Sequence, residues 1–252
     1  TATTEIYTLS LHDALPILPP VLDGINLHVA PGQTLGILGR TGSGKSTLAA
    51  LLARVFNPPR GTVFIDGIDV LDLPLELLRR SIAAVPQESF LFSRTVAENI
   101  GFAPGDWTEE QIRQAARTAQ VEQDILEFLP HGYETMVGER GVTLSGGQRQ
   151  RVGLSRALLK NAPILVLDDC LSAVDTATEQ RILNGLRPVM RERTTIIISH
   201  RVAAVKDADQ IIVLERGRIA EAGTHEELLA LRGRYFRTYQ RQQLEEAIAS
   251  LD

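Results

Sequence analysis

Gly39-Arg-Thr-Gly-Ser-Gly-Lys45-Ser46-Thr47 is the stretch on which the fold of this chain turns. It follows an apolar run, Thr34–Leu38, that reads as a buried strand, and it opens a segment with helical spacing from about Ser46 to Phe56. A strand, a Gly-rich loop and a helix in that order are the setting a phosphate loop requires. Gly39, Gly42 and Gly44, with Thr41 and Ser43 between them, let the backbone wrap an anion, and the helix N-terminus adds unpaired N–H groups and the positive end of its dipole. In such a loop Lys45 reaches the β- and γ-phosphates, the Ser46 hydroxyl ligates Mg²⁺, and Thr47 carries the loop into the helix.

Outward from the loop, short β-branched runs alternate with longer helical segments, as in an α/β core with parallel strands. Gly61–Asp66 reads as a strand, Pro74–Ser81 as a short helix and Ile82–Val85 as a strand. Asp106–Leu129 is mostly helical, with Thr108 as N-cap and Glu109 and Glu110 at the positive end of the dipole. Thr143–Leu159 holds a Gly pair and then a helix; Ile164–Leu167 and Thr194–Ser199 are buried strands, with Thr176–Arg187 helical between them. Gln210–Glu221 reads as a hairpin turning at Arg216-Gly217, and two amphipathic helices, His225–Leu231 and Arg234–Ala247, follow. The expected class is α/β: a phosphate-loop NTPase core with a mixed, mainly parallel sheet, an antiparallel β subdomain, and a helical subdomain over residues 88–160 or so.

Composition narrows the function. The chain has 252 residues, 44% hydrophobic and 23% charged, enough for a well-buried core. A net charge of -5 with 5% aromatics lacks the basic face that binding to DNA or RNA requires, so no nucleic-acid partner is expected. The single cysteine, Cys170, rules out an intrachain disulfide framework. Uninterrupted apolar runs such as Ile164–Leu167 fall far short of the ~20 residues of a membrane helix.

Two further motifs carry chemistry. Ile164-Leu-Val-Leu-Asp168 is an apolar strand ending in a carboxylate, where a nucleotide-binding sheet needs an acid to hold Mg²⁺. Asp169 follows, placed to orient or deprotonate an attacking water, or else to cap a turn. Leu144-Ser-Gly-Gly-Gln148, with Arg149-Gln-Arg and a helix after it, is a second anion-binding helix N-terminus. With these motifs in one chain, the sequence resembles the nucleotide-binding domain of an ATP-binding-cassette transporter over essentially all of Leu18–Asp252. The likeness extends to the halves of bacterial multidrug-resistance-like exporters.

That resemblance implies a head-to-tail pair of such domains sandwiching two ATP molecules with Mg²⁺. Ser145, Gly146 and Gly147 would contact the γ-phosphate held by the partner, with Gln148 fixing their loop. Gln87 matches the glutamine that senses Mg²⁺ and the membrane domain, His200 the switch histidine on the γ-phosphate, and Ser172–Asp175 the loop linking the two sites, with Asp175 counted among its nucleotide-binding residues. Asp168 would ligate Mg²⁺ with Ser46 and Gln87, while Asp169, His200 and Gln87 would serve catalysis. Val137–Gly141 resembles the loop by which exporters touch their membrane helices. The implied place is the cytoplasmic face of the inner membrane, through a transmembrane domain upstream of this stretch. The transported substrate is not legible, since the cavity that selects it belongs to membrane helices.

One departure stands out: the family places glutamate directly after the Mg²⁺ aspartate, and this chain has Asp169. Losing a methylene withdraws the carboxylate by roughly 1.5 Å, against a general-base reach of ~2.6–3.2 Å. Slow hydrolysis at its own phosphate loop is expected, as in one half of a heterodimeric exporter with a degenerate site. A soluble cassette ATPase and a small-molecule kinase are the alternative readings. The first normally shows a long coiled coil or paired cassettes with basic arms, and the second has no need of Leu144–Gln148.

Thr1–Ile17 reads differently from the rest. It has no usable period, reads only weakly as a native strand, and resembles, codon for codon, the translation of a short-read sequencing adapter. Residues 1–17 are therefore expected to be non-native and the domain to run from 18 to 252. Without Glu5 and Asp13 the net charge moves from -5 to -3. The aromatic on which such domains stack adenine would fall near Leu11–Leu15, where none stands; Tyr7 is nearest and is expected to be a bystander, with ATP held weakly as a result.

Overall fold

The computed structural model describes residues 4–9, 21–138 and 142–249. They fall into two compact units, the first built from Thr1–Arg79 with Arg193–Asp252 and the second from Arg80–Glu192.

The first unit begins with strands β1 (Thr4–Leu9), β2 (Ile25–Val29) and β3 (Thr34–Gly39), then helix α1 (Lys45–Leu52) and the short strands β4 (Phe64–Ile65) and β5 (Ile68–Asp69). Ile25, Leu27 and Val29 of β2 are buried while Asn26 and His28 face out, a period-two pattern that marks a one-sided strand. β1 pairs antiparallel with β2, Thr4 opposite Val29 and Ile6 opposite Leu27, with an irregularity before Leu9. The backbone of Thr4–Leu9 is thus extended and paired, in a stretch whose sequence reads only weakly as a strand. α1 stops at Leu52 rather than Phe56, because Arg54 takes φ +49 and the Val55 N–H closes back on Ala50 O at 2.8 Å. Only Phe64–Ile65 of the expected strand Gly61–Asp66 forms. It folds onto β5 through Asp66 and Gly67, whose φ values of +52 and +75 make the Asp-Gly hairpin turn.

Helix α2 (Leu75–Ser81) leads to the second unit, which holds β6 (Ile82–Val85), β7 (Arg94–Thr95), α3 (Val96–Ile100), α4 (Glu109–Thr118), α5 (Glu122–Phe128), β8 (Met136–Val137), α6 (Gly146–Lys160), β9 (Ile164–Asp168) and α7 (Thr176–Arg191). Its two core strands, β6 and β9, run parallel, with Val85 opposite Leu167. Thr108 caps α4 as expected: its hydroxyl accepts from the Gln111 N–H at 3.3 Å, and Gln111 Oε1 accepts from the Thr108 N–H at 2.9 Å. Gln120, at φ +56, breaks the helical run between α4 and α5.

The chain returns to the first unit with β10 (Thr194–Ser199), α8 (Val202–Val205), β11 (Gln210–Glu215), β12 (Arg218–Gly223), α9 (His225–Leu231) and α10 (Arg234–Ala249). There the strand order is β12-β11-β3-β10, with β11 and β10 parallel to β3 and β12 antiparallel at the edge. All six residues of β10 are buried, as are Thr34–Leu38 of β3, as in strands covered on both faces. Gly36 is needed beneath α8, since a Cβ there would lie 2.8 Å from the Val205 Cβ. Among the described residues no helix is long and apolar enough to cross a membrane.

Candidate functional site

Register places the first cluster. β3 ends at Gly39, paired with Leu214 of β11, and its other neighbour β10 ends with Ser199 opposite Leu38. His200, the residue after β10, therefore emerges at the same carboxyl edge as the phosphate loop, where open α/β sheets bind ligands. The loop is shaped by positive φ at Gly42 (+80) and Gly44 (+101), conformations a side chain would resist. At Gly44 a Cβ would also strike Leu22 Cδ2 at 2.7 Å. Lys45 is buried, and its ammonium donates to the carbonyls of Gly39 (2.8 Å) and Arg40 (2.9 Å), which holds it across the loop. Gly44 caps α1 without a side-chain hydrogen bond, so no side chain of that cap claims the first-turn N–H groups. Ser43 Oγ is buried with no hydrogen-bond partner. Thr41 and Ser46 are exposed and Thr47 is half-buried. An oxyanion fits this cradle.

The second unit gathers another cluster at its own sheet edge. Val85 faces Leu167, so Pro86 and Gln87 leave β6 level with Asp168 and Asp169 at the end of β9. Asp168 and Asp169 are half-buried. Asp169 takes φ +47, a left-handed conformation that Asp tolerates better than most side chains, and its carbonyl accepts the Ser172 N–H at 3.2 Å. Next to it the Cys170 thiol is fully enclosed, and burial pushes its pKa up to about 12.

Ser145 caps α6 in a reciprocal box: its Oγ accepts from the Gln148 N–H at 3.2 Å, and Gln148 Oε1 accepts from the Ser145 N–H at 2.9 Å. Gln148 Nε2 donates to Asp124 Oδ2 at 3.1 Å, and Asp124 also pairs with Arg151 at 2.7 Å, tying the helix start to α5. Gly147 lies so close to the following loop that a Cβ would sit 2.8 Å from Ala173 O. Asp175 is the N-cap of α7. Its Oδ1 accepts from the Thr178 N–H at 2.9 Å, and that bond holds its carboxyl below the ordinary carboxylate range.

Gln150 was not among the residues singled out from sequence, yet it ties these loops together. It is 6% exposed. Its Nε2 donates to Gln87 O (3.0 Å) and Ser172 Oγ (3.0 Å), and its Oε1 accepts from the Ala173 N–H (3.0 Å). The sequence signal was a glutamine on the buried face of α6, in line with Leu154, Ala157 and Leu158.

Beside Gln87 a cleft of about 280 Å³ is lined by Glu88, Ser89, Phe90, Phe102, Arg156 and Lys160, among others. Phe90 is 69% exposed and Phe102 48%. The Arg156 guanidinium lies over the rings of Phe92 and Phe102 and donates to Asn99 O at 2.7 Å. Burial pulls the pKa of both Arg156 and Lys160 down. Of Val137–Gly141, residues 139–141 lie outside the described residues, as does the Leu11–Leu15 stretch; Tyr7 has its backbone in β1.

Residues 22–172, which contain the phosphate loop, α6 and Asp169, match the family model described as ABC transporter. The chain belongs to that family. It is 48% identical over 226 residues to an ATP-dependent lipid A-core flippase of Aromatoleum aromaticum, a match covering 90% of this chain and 38% of that protein. It is 49% identical over 223 residues to the probable multidrug resistance ABC transporter ATP-binding/permease protein YheI of Bacillus subtilis, covering 88% of this chain and 38% of the relative. This ABC domain also superposes on the structure of a bacterial Atm1-family ABC exporter with ATP bound, at a TM-score of 0.85 and 40% identity, covering 96% of this chain and 42% of that one. The chain thus spans about two-fifths of the length of the relatives it matches. Each of these names is a transporter's; none is that of a soluble cassette ATPase or a kinase.

Proposed function

We propose that this chain is the ATP-binding and hydrolysing motor of an ABC exporter, working as one of two paired domains attached to membrane helices on the cytoplasmic side of the inner membrane. The observation that carries this is the coexistence of two anion-binding helix N-termini: α1 behind the phosphate loop and α6 behind the Ser145–Gln148 cap. One nucleotide needs only the first. The second suits the γ-phosphate of a nucleotide held by the partner domain.

In this reading Lys45 swings from the Gly39 and Arg40 carbonyls to the β- and γ-phosphates, and His200 meets the γ-phosphate from the neighbouring strand end. Among the described residues no cluster of three or more acidic, His or Cys side chains makes a self-sufficient metal cage, as befits an ion shared with substrate phosphates. By their motifs the Ser46 hydroxyl, the Asp168 carboxylate and the Gln87 amide are each suited to ligate Mg²⁺, which would neutralise charge on the phosphates. Asp169 accepts a proton from the water that attacks the γ-phosphorus as the bond to ADP breaks. Its short side chain makes that step slow. A partner carrying glutamate at this position, completed by this chain's Leu144–Gln148 motif, would be the faster site. Asp169→Ala costing as much turnover in the assembled pair as removal of the partner's glutamate would refute the unequal pairing.

The cleft beside Gln87 suits the membrane domain. Its exposed phenylalanines and two partly desolvated cations fit an amphipathic helix that ends in a carboxylate. Thr1–Ile17 is read as foreign sequence, and an independent assembly of the locus encoding it in frame would overturn that. The central test is light scattering of the full chain in Mg²⁺ and ATP. Dimerisation lost in Lys45→Ala and in Gly147→Asp is the expected result, and a monomer hydrolysing ATP at full rate would sink the proposal.

A further inference from the structure

The face of α10 shows what this helix holds. Tyr235, Tyr239 and Gln242 fall at i, i+4 and i+7, along one side of the helix. Tyr235 is fully buried, and its hydroxyl lies 2.7 Å from His225 Nδ1. Glu221 of β12 holds the first turn: its Oε2 accepts from the Tyr235 N–H at 3.0 Å and its Oε1 from the Arg234 N–H. The Arg234 guanidinium pairs with Glu215 of β11 at 2.6 Å. The start of α10 is thereby pinned to the β11–β12 hairpin.

Two turns on, Gln242 reaches the turn after β10. Its Nε2 donates to His200 O at 2.8 Å, and its Oε1 accepts from the Val202 N–H at 2.8 Å. One partner can only accept and the other can only donate, so chemistry fixes the orientation of the amide. Arg201, the N-cap residue of α8, makes no side-chain cap, and Gln242 supplies one from 40 residues away. Ser199 Oγ accepts from the Arg201 N–H at 3.0 Å. The backbone on both sides of His200 is tied while its side chain is exposed.

The geometry points to Gln242 as the positioning residue for His200. Through it, α10 sets the backbone that aims the imidazole at the terminal phosphate of bound ATP. This rests on the reading of His200 as a γ-phosphate contact. Such a contact exists with ATP and not with ADP, so the effect of Gln242 is confined to the triphosphate.

The test titrates the full chain with a nonhydrolysable ATP analogue and with ADP, each with Mg²⁺. Gln242→Ala lowers the analogue-to-ADP affinity ratio about five- to tenfold, the worth of one to two hydrogen bonds, and leaves ADP affinity unchanged. Gln242→Glu keeps an acceptor for the Val202 N–H but turns an oxygen on the His200 carbonyl. Its ratio, relative to the parent's, is depressed at about pH 8 and recovers toward pH 5 as the carboxyl gains a proton to donate. Gln240→Ala, exposed on another face, changes neither affinity. A Gln242→Ala ratio within about twofold of the parent's, while His200→Ala loses analogue affinity, overturns the role of Gln242 and leaves that of His200 standing. An unchanged ratio in His200→Ala overturns both. Equal losses for analogue and ADP, or no recovery of Gln242→Glu with acid, reduce Gln242 to a structural residue and also refute the inference.

Discussion

Replacing Gln150 reverses the usual order of core substitutions. Its carboxamide engages Gln87 O, Ser172 Oγ and the Ala173 N–H, each at 3.0 Å, in a site only 6% exposed. Gln150→Ala removes all three partners at once. At about 1 kcal/mol net for each, the loss is roughly 3 kcal/mol, reduced by about 1 kcal/mol if water enters the polar hole. Gln150→Leu keeps the volume but lays an apolar group against one unpaired carbonyl and one unpaired N–H, and excludes the water. Its cost is therefore larger, about 3–5 kcal/mol. In an ordinary apolar core the residue of matching volume is the milder change. For a chain of this length about 2–4 °C accompany each kcal/mol, so thermal melts followed by circular dichroism should fall by roughly 5–10 °C for Ala and more for Leu. A Leu variant more stable than the Ala variant would mean that packing, not hydrogen bonding, holds Gln150, and the link between the Gln87 loop, α6 and the Ser172 loop would be wrong.

Other outcomes follow from single contacts. Asp169→Glu extends the carboxylate by about 1.5 Å toward the attacking water and raises the ATPase rate of the full chain by an order of magnitude or more; no gain would mean Asp169 already reaches. Gly147→Ala forces a Cβ to 2.8 Å from Ala173 O and costs about 1–3 kcal/mol in urea unfolding, together with loss of ATP-driven dimerisation; a fully stable variant would show that the two loops part easily. Cys170, its thiol pushed up to about 12 by burial, stays protonated at pH 8 and is alkylated only when urea opens the fold; rapid labelling of native protein would contradict the enclosure of that strand end. Asp175 has its carboxyl held below the ordinary value by the Thr178 N–H, so it contributes stability above about pH 4 that is lost as pH falls through the depressed folded value. Asp175→Asn keeps the cap and flattens that part of the acid-unfolding profile, and an unchanged profile would refute the assignment.

Features that depend on neighbours along the chain could be read directly from the residues. The strand, Gly-rich loop and helix at Thr34–Leu52 were legible because loop chemistry needs glycine at fixed offsets, and Thr108 could be read as a cap because capping acts over three residues. The motifs at Leu144–Gln148 and Ile164–Asp168 were plain for the same reason. The early end of α1 and the Asp66-Gly67 hairpin were local too, but depended on left-handed residues whose signal is weak beside helical or strand periodicity. The rest was set by contacts between segments distant along the chain. Parallel register brings His200 level with Gly39, and a sheet pairing across about 160 residues leaves no mark in local composition. Gln150 and Gln242 are ordinary polar residues in amphipathic helices until folding sets each against a backbone donor and acceptor, because a carboxamide can satisfy both kinds of partner and the chain does not reveal which it will meet.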